Sequence, residues 1–216
     1  MKGNNKIQEL YTGRASFYER VFVDFLGWGK QLETYFRRSE YIRSEFKILD
    51  AGCGTGVVTR ILYQLALEKR YVGVQFHAFD LTRSMLDLLQ TWVINEGAMN
   101  IELKQADVLE PEALPSDWNY HDLIVTSAML EYLPRPDVRA ALVNLKQMLK
   151  HEGILLVFIT RRNILTRWLA AKWWKTNLYS ESEIEAFLHD SGFDKVNFKK
   201  FSRGWSNSII VVEATK

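Results

Sequence analysis

The sequence predicts an α/β fold built on a doubly wound, largely parallel sheet of the Rossmann-like kind. From Phe46 onward, short apolar runs alternate with longer segments of helical periodicity, and this alternation is typical of strand–helix–strand units with right-handed crossovers. A glycine-rich turn follows the first apolar run directly, at Gly52–Gly56. The last two extended runs are separated only by Ser202–Asn207. This connection is too short for a crossover, so the last strand is predicted to enter antiparallel, as a hairpin.

The strands are predicted from runs rich in apolar and β-branched residues. Five of them belong to the parallel part of the sheet: Lys47–Ala51, Val74–Phe79, Asn100–Lys104, Leu123–Ser127 and Ile154–Thr160. The hairpin is formed by Asp194–Phe201 and Ser208–Glu213.

The helices between these strands are predicted from apolar residues at helical spacing. Three stripes show it most clearly: Val58, Ile61, Leu62 and Leu65; Met85, Leu88, Leu89 and Trp92; and Val138, Ala141, Leu142, Leu145 and Leu149. Thr55, Thr82 and Asp137 are predicted to cap these helices, and Ser180–Glu183 has the spacing of a capping box.

Residues 1–45 are predicted to form an N-terminal helical cap, interrupted near Gly27 and Gly29. The segment carries too many aromatic residues for a solvated arm. Two interpretations stay open here: a helix packed on the edge of the sheet, or a lid over a ligand site. Residues 46–216 are predicted to form the α/β part of what is, overall, a single structural domain.

Composition limits the classes of partner. The net charge of +2, with 25% charged residues, is too small to indicate nucleic acid or an acidic surface. The single cysteine, Cys53, excludes an internal disulfide and a multi-cysteine metal site, so no metal is expected and a reducing compartment is favoured. No apolar run approaches the ~20 residues of a membrane span, and the first residues do not resemble a secretory signal. We therefore expect a soluble, cytoplasmic protein.

The glycine turn predicts a close approach of a ligand to bare backbone. Asp50 ends the first strand, and Gly52, Gly54 and Gly56 follow at alternate positions. Glycine tolerates a positive φ and leaves no Cβ in the way of a ligand. The helix that follows offers free N–H groups to an anionic group. In doubly wound sheets, ligands bind at this edge, beyond the carboxyl ends of the strands.

Two further acids end neighbouring strands. Asp80 ends the second strand, where a carboxylate can accept hydrogen bonds from both ribose hydroxyls. Asp107 follows the third strand, where it can meet an adenine edge. Each acid alone would be read as a helix cap or a solvated loop residue. Three acids at the ends of three successive parallel strands, beside a glycine turn, predict an adenosine-containing cofactor.

The type of cofactor follows from what the turn lacks. A nicotinamide dinucleotide requires a third glycine where Val57 stands. A nucleoside triphosphate requires a lysine and a hydroxyl closing the loop, and none follows Gly56. The acid at Asp50 suits an amino group. An adenosine that carries both an amine and a carboxylate, S-adenosylmethionine, satisfies all three observations.

These motifs resemble those of the class I S-adenosylmethionine-dependent methyltransferases. The stretches "ILDAGCGTG", "AFDLTRSML", "QADVLE" and "HDLIVTSAMLEYLP" occur in the order of that family's motifs. The resemblance implies a seven-stranded sheet whose last strand is antiparallel. It also implies which residues surround each part of the cofactor. Around the methionine part it implies Asp50, Gly52, Cys53, Gly54, Thr55 and Gly56, and at the ribose Asp80. Along the adenine it implies Leu81, Met85, Asp107 and Val108, and beside the sulfonium Ser127 and Ala128.

The N-terminal stretch "YTGRASFY" is similar to the Tyr-Asp-x-x-Ala-x-x-Tyr-Asp opening of small-molecule members, among them the ubiquinone/menaquinone-biosynthesis methyltransferases. The similarity implies that Tyr11, Arg14 and Tyr18 face the cofactor. Thr12 and Glu19 replace the two aspartates of that pattern.

Methyl transfer from a sulfonium needs positioning more than acid–base chemistry, because the methyl group is already activated. An oxygen nucleophile would still gain from a base. The loop after the fourth strand offers Glu131 and Tyr132 as candidate catalytic residues. A purely structural role for this loop carboxylate is the alternative.

The segment 160–180 mixes basic residues with tryptophans at the mouth where an acceptor would enter. It predicts an apolar or aromatic small-molecule acceptor. Weak contact with a membrane surface and plain packing are alternatives. At the level of function, methylation of RNA or protein and a non-catalytic, methyltransferase-like binding subunit also stay open, and a nicotinamide oxidoreductase is the remotest choice.

Overall fold

The structure is a computed structural model that describes residues 27–163, 166, 176–201 and 207–216. The chain divides into two compact units, residues 1–116 and 117–216.

The described part of the first unit alternates three helices with three parallel strands. In chain order these are α1 (Trp28–Arg37), β1 (Lys47–Ala51), α2 (Val57–Glu68), β2 (Gln75–Asp80), α3 (Arg83–Glu96) and β3 (Ile101–Gln105). The strand order is β3-β2-β1, and both pairs are parallel and in continuous register.

The apolar runs explain why these segments are strands. Ile48 through Ala51 and Phe76 through Phe79 are buried without alternation, as is typical of parallel strands covered on both faces. On α2, the buried residues Val58, Leu62 and Leu65 lie on one stripe. Burial of this stripe and of both strands forms the core that holds the end of β1 in place.

The first helix follows the predicted interruption only in part. Gly27 adopts φ 65° and is the N-cap of α1, whereas Gly29 lies inside the helix. The helix contacts α2, burying Leu32 and Phe36, and Arg37 pairs with Glu68 of α2. The rest of the predicted cap, residues 1–26, lies outside the described residues.

The described part of the second unit contains four strands and two α-helices. In chain order these are β4 (His121–Ser127), α4 (Val138–Met148), β5 (Leu149–Thr160), α5 (Glu181–Asp190), β6 (Lys195–Lys199) and β7 (Ile209–Thr215), with short 3-10 turns at Leu130–Tyr132 and Arg135–Asp137. The strand order is β4-β5-β7-β6. Strands β4 and β5 are parallel, and β7 is antiparallel to both of its neighbours.

The seven strands make a mixed sheet that is parallel except for its last strand, and the predicted fold class is thereby confirmed. The capping box at Ser180 and Glu183 is also confirmed. Two local predictions are wrong. The N-cap of α2 is Gly56, with φ 86°, and not Thr55. Strand β5 begins at Leu149, which the helical stripe had assigned to α4, because a bulge lets the strand pair with His121 before its register settles at Leu123.

Candidate cofactor site

The turn after β1 is tied to the end of β2. The backbone N–H groups of Gly52 and Cys53 both donate to the carbonyl oxygen of Phe79, at 2.9 and 3.0 Å. Gly52, Gly54 and Gly56 have φ values of 71°, 54° and 86°. All three lie in the left-handed region that only glycine adopts without cost. The alternate spacing of the glycines is therefore required by the path of the backbone.

Two of these glycines differ in what surrounds them. A Cβ added to Gly56 would come within 2.3 Å of the side chain of Leu89, so α3 packs against bare backbone at this point. A Cβ added to Gly54 would meet no atom within 4 Å. Gly56 therefore serves packing, whereas Gly54 leaves the backbone open to a ligand.

Asp50, the last acid before the turn, is buried and bound to α2. Its Oδ2 atom accepts hydrogen bonds from the Thr59 backbone N–H at 3.0 Å and from Thr59 Oγ1 at 2.6 Å. Burial raises the pKa of this carboxyl to about 7. The Thr59 hydrogen bonds oppose that rise, and the charge of Asp80 adds to it. Sequence reasoning missed Thr59, although a hydroxyl residue in the first helical turn after the glycines was the available signal.

Asp80, at the end of β2, reaches back to the same turn. Its Oδ2 atom accepts from the Gly54 N–H and its Oδ1 atom from the Thr82 N–H, both at 2.8 Å. Burial raises the pKa of Asp80, and these backbone hydrogen bonds oppose the rise. A carboxylate has about four acceptor positions, so Asp80 can hold the turn and still accept hydrogen bonds from a ligand.

The third predicted acid lies beyond β3. Asp107 is buried, and its Oδ1 atom accepts from the Leu109 N–H at 3.0 Å, which closes a local turn. The preceding residue, Ala106, donates its N–H to the carbonyl oxygen of Asp80 at 3.1 Å, so the ends of β2 and β3 are joined. The predicted adenine neighbours Val108 and Met85 are buried, and Leu81 is half-buried.

Cys53 is buried within the turn. Burial, together with the charges of Asp50 and Asp80, raises the pKa of its thiol well above the ordinary value. The thiol is therefore neutral and unsuited to nucleophilic chemistry. Thr55 is buried as well.

Ser127 and Ala128 lie in the second unit, at the carboxyl end of β4, as the glycine turn lies at the carboxyl end of β1 in the first unit. Ala128 has φ 57°, unusual for a residue other than glycine, and its N–H donates to the Phe158 carbonyl oxygen at 3.0 Å. The turn after β4 is thus held by the neighbouring strand β5.

Glu131 is buried in the 3-10 turn that follows. Its Oε1 atom accepts from Thr160 Oγ1 at 2.7 Å, whereas its Oε2 atom has no hydrogen-bond partner among the described residues. Burial raises the pKa of this carboxyl to about 7, against the effect of the Thr160 hydrogen bond. The adjacent Tyr132 is half-buried.

Tyr179, which sequence reasoning missed, lies near Glu131. Its ring packs under the Arg135 guanidinium, 4.8 Å from the ring centroid, and meets Phe187 edge-on. Its buried hydroxyl also has no partner within the part of the chain that the structure describes. Burial raises the pKa of this hydroxyl to about 12, with a contribution from the charge of Glu131, so the hydroxyl stays protonated. No sequence pattern pointed to this tyrosine.

A comparison with known protein families matches residues 48–153 to a family described as a methyltransferase domain. The matched range begins in β1 and contains the glycine turn, the three acids and the loop after β4. Residues 48–153 thus form a methyltransferase domain, and this part of the chain belongs to the class I S-adenosylmethionine-dependent methyltransferases.

Curated relatives of this methyltransferase agree with the assignment. One is a probable methyltransferase, ltbC, of Aspergillus luteorubrus, 33% identical over 116 residues, which are 53% of this chain and 40% of the relative. Another is a malonyl-(acyl-carrier protein) O-methyltransferase of Paenibacillus sp., 35% identical over 124 residues, 57% of this chain and 42% of the relative. The chain thus spans about two fifths of the length of these relatives.

A solved structure agrees in fold over nearly all of this chain. It is the putative methyltransferase of Haloferax volcanii in complex with the Trm112 methyltransferase activator, with a TM-score of 0.75 at 12% identity and 96% of both chains covered.

The residues of the first unit fit S-adenosylmethionine, the cofactor of this family. The backbone is open at Gly54, and beside it lie the buried carboxyl of Asp50 and the half-buried carboxylate of Asp80. Tyr11, Arg14 and Tyr18, the predicted cap residues, lie outside the described residues. Within the described ranges, no helix is long and apolar enough to cross a membrane, and no group of three His, Cys, Asp or Glu side chains could hold a metal ion.

Proposed function

We propose that the chain transfers a methyl group from S-adenosylmethionine to a small, largely apolar or aromatic acceptor, at oxygen or carbon, by in-line displacement. The observation that carries the proposal is the glycine turn itself. The backbone is open at Gly54, and Asp80 accepts a hydrogen bond from the N–H of that residue. Asp50, which precedes the turn, is held by Thr59 in the first turn of the helix that follows it.

The proposed roles of the cofactor-binding residues are those that the resemblance to the family implies. Asp50 faces the amino group, with the backbone of the glycine turn around the methionine part. Asp80 accepts from the ribose hydroxyls, and Leu81, Met85, Asp107 and Val108 surround the adenine. Ser127 and Ala128 keep their predicted place beside the sulfonium, and Tyr11, Arg14 and Tyr18 their predicted place in the cap.

The bound cofactor supplies an activated methyl group, so the chain has to orient the acceptor and exclude water. Positioning of this kind contributes on the order of 7–11 kcal/mol to lowering a barrier. Glu131 is the candidate to take a proton from a hydroxyl acceptor, because its buried carboxyl has a pKa of about 7 and one oxygen without a partner among the described residues. Tyr132 is the second candidate in the same loop.

The acceptor class is supported from two sides. The Paenibacillus relative is named a malonyl-(acyl-carrier protein) O-methyltransferase, which favours oxygen as the methylated atom. The net charge of +2 disfavours a nucleic acid acceptor. The single cysteine favours a reducing compartment, and we place the reaction in the cytoplasm.

Titration calorimetry with S-adenosylhomocysteine tests the proposal. We expect binding in the micromolar range, with NADH as the negative control. Absence of binding at millimolar S-adenosylhomocysteine would contradict it. A panel of phenols and carboxylic acids, incubated with methyl-labelled S-adenosylmethionine beside bulk RNA and protein, then identifies the acceptor class. Label confined to RNA or protein would overturn the small-molecule assignment.

A further inference from the structure

The helix after the glycine turn begins without a side-chain cap of its own. Its N-cap is Gly56, and the side chain that caps its first turn comes from the preceding strand instead: Asp50 Oδ2 accepts from the N–H of Thr59, the third residue of α2. The Thr59 hydroxyl adds a second and shorter hydrogen bond to the same oxygen, at 2.6 Å. One residue of α2 therefore determines which oxygen of Asp50 faces the helix.

Both partners of this contact are almost completely buried. Thr59 is 1% exposed and Asp50 is 3% exposed. A buried hydroxyl in such a short contact with a carboxylate favours one side-chain rotamer, and the two hydrogen bonds restrain the orientation of the carboxylate. Both Thr59 hydrogen bonds go to Oδ2, so Asp50 Oδ1 is not engaged by Thr59.

The charged and titratable groups around Asp50 in residues 27–116 are few. Asp80 at the end of β2 is a like charge, and the Cys53 thiol in the turn is neutral. His77 on β2 pairs with Leu49 and so lies on the opposite face of the sheet from Asp50, which pairs with Ala78. In these residues, no cationic side chain forms an ion pair with Asp50. A buried carboxylate with only neutral donors is costly to ionise, so a cationic ligand group is the compensation that the site lacks.

We propose that Thr59 is a positioning residue of the cofactor site, which fixes Asp50 Oδ2 so that the other acceptor positions of this carboxylate receive the ammonium group of the cofactor. This inference rests on the proposed function and adds to it a residue that contacts no ligand atom.

Proton release on binding is the consequence that can be measured. The pKa of Asp50 without ligand is raised to about 7, and an ammonium group bound to it favours the ionised form. Below this pKa, binding must expel a proton, so the affinity falls as the pH is lowered. Well above this pKa, Asp50 is already ionised, and the affinity no longer depends on pH, so a plot of affinity against pH is level there. Loss of the Thr59 hydroxyl removes a hydrogen bond that favours the charged form, which moves the onset of the level region to higher pH.

The experiment is calorimetric titration with S-adenosylhomocysteine from pH 6 to 8.5, in pairs of buffers that differ in ionisation enthalpy, so that released protons are counted directly. For the wild type we expect up to about a tenfold gain in affinity per pH unit below pH 7 and release of close to one proton at pH 6. For Thr59→Val we expect about five- to tenfold weaker binding at pH 7, with recovery at higher pH. Thr59→Ser is expected to match the wild type, and Asp50→Asn to bind weakly with no proton release.

Thr91→Val is the matched control, because Thr91 lies on α3 and its hydroxyl bonds only to the Asp87 carbonyl oxygen. Equal weakening by Thr59→Val at every pH, or an unchanged pH profile, would overturn the positioning role while leaving the proposed function intact. Failure of the wild type to bind S-adenosylhomocysteine at any pH would instead remove the proposed function, and this inference with it.

Discussion

Each unit of the molecule contains a buried carboxyl group paired with a threonine hydroxyl. In the first unit, Asp50 accepts from Thr59 Oγ1 at 2.6 Å, and in the second, Glu131 accepts from Thr160 Oγ1 at 2.7 Å. Both acids are 3% exposed. Burial raises the pKa of each to about 7. In burial, in the direction of the pKa shift and in the hydrogen bond from a threonine hydroxyl, the two pairs are similar.

The surroundings of the two pairs differ. Beside Asp50 lie a second carboxylate, Asp80, and the open backbone of Gly54. Beside Glu131 lies Tyr179, whose hydroxyl, like Glu131 Oε2, has no partner among the described residues. A buried acid with a raised pKa therefore marks both pairs equally as candidates. The surroundings distinguish them. Open backbone beside Asp50 indicates a ligand site, whereas packed side chains surround Glu131, the candidate base.

The largest effect should come from filling the space beside the first pair. Gly54 and Gly97 have similar φ values, 54° and 62°, and a Cβ at either position meets no atom within 4 Å. Asparagine tolerates this conformation, so Gly54→Asn and Gly97→Asn carry similar backbone strain. We expect Gly54→Asn to weaken S-adenosylhomocysteine binding at least about 100-fold, equivalent to about 3 kcal/mol, and Gly97→Asn to leave it unchanged, both by calorimetry. Equal affinities for the two variants would mean that the space at Gly54 is not used.

The second prediction concerns the stability that each buried acid costs. The folded-state pKa of about 7 lies above the ordinary values of 3.8 and 4.5, so the folded protein binds more protons than the unfolded chain between these limits. The free energy of unfolding therefore falls as the pH rises from about 4 to 7 and is level above 7. Asp50→Asn and Glu131→Gln each remove the contribution of one acid to this fall. The difference in the free energy of unfolding between each variant and the wild type should therefore shift in favour of the variant by on the order of 2 kcal/mol from pH 5 to pH 8, measured by urea denaturation.

Added ligand should change the contribution of Asp50 to the pH dependence of the free energy of unfolding, but not the contribution of Glu131. Saturating S-adenosylhomocysteine should remove the Asp50 share of the pH dependence in the wild type, because its ammonium group compensates the charge. The difference between the wild type and Glu131→Gln should stay the same with and without ligand. If the ligand altered the contributions of both acids, the cofactor would affect the ionisation of Glu131 as well.

How much of this comparison can be predicted from the sequence depends on how far apart along the chain the interacting residues are. The strands, the glycine turn and the acids at the strand ends follow from local periodicity and spacing, and the fold was predicted from them. The Asp50–Thr59 contact spans nine residues across the turn. It also explains the wrong prediction at Thr55: a strand carboxylate caps α2 in place of a residue next to the helix. Thr160 and Tyr179 come from positions 29 and 48 residues beyond Glu131, and only tertiary packing brings them together.

Removing the threonine of the second pair should have a smaller effect than neutralising its acid. Thr160→Val would leave both oxygens of Glu131 without a side-chain donor among the described residues. We expect a loss of about 1–2 kcal/mol in the free energy of unfolding at pH 8 and a smaller loss at pH 5, where Glu131 is protonated. Thr160→Ser keeps the hydroxyl and is the control. A loss that did not depend on pH would indicate that the valine disturbs packing rather than the carboxyl.

The smallest effect is expected at Tyr179. Its hydroxyl is buried without a partner in the described ranges, and an unpaired buried hydroxyl costs free energy. Tyr179→Phe should therefore leave the free energy of unfolding unchanged or raise it by less than about 1 kcal/mol. Tyr35→Phe is the matched control, because the Tyr35 hydroxyl is hydrogen-bonded to that of Tyr41 at 3.2 Å, and it should lose about 0.5–1 kcal/mol. If Tyr179→Phe lost more than the control, and lost it only above pH 7, the hydroxyl would be donating to ionised Glu131. The second pair would then be as fully satisfied as the first, and Glu131 Oε2 would no longer be available to an acceptor.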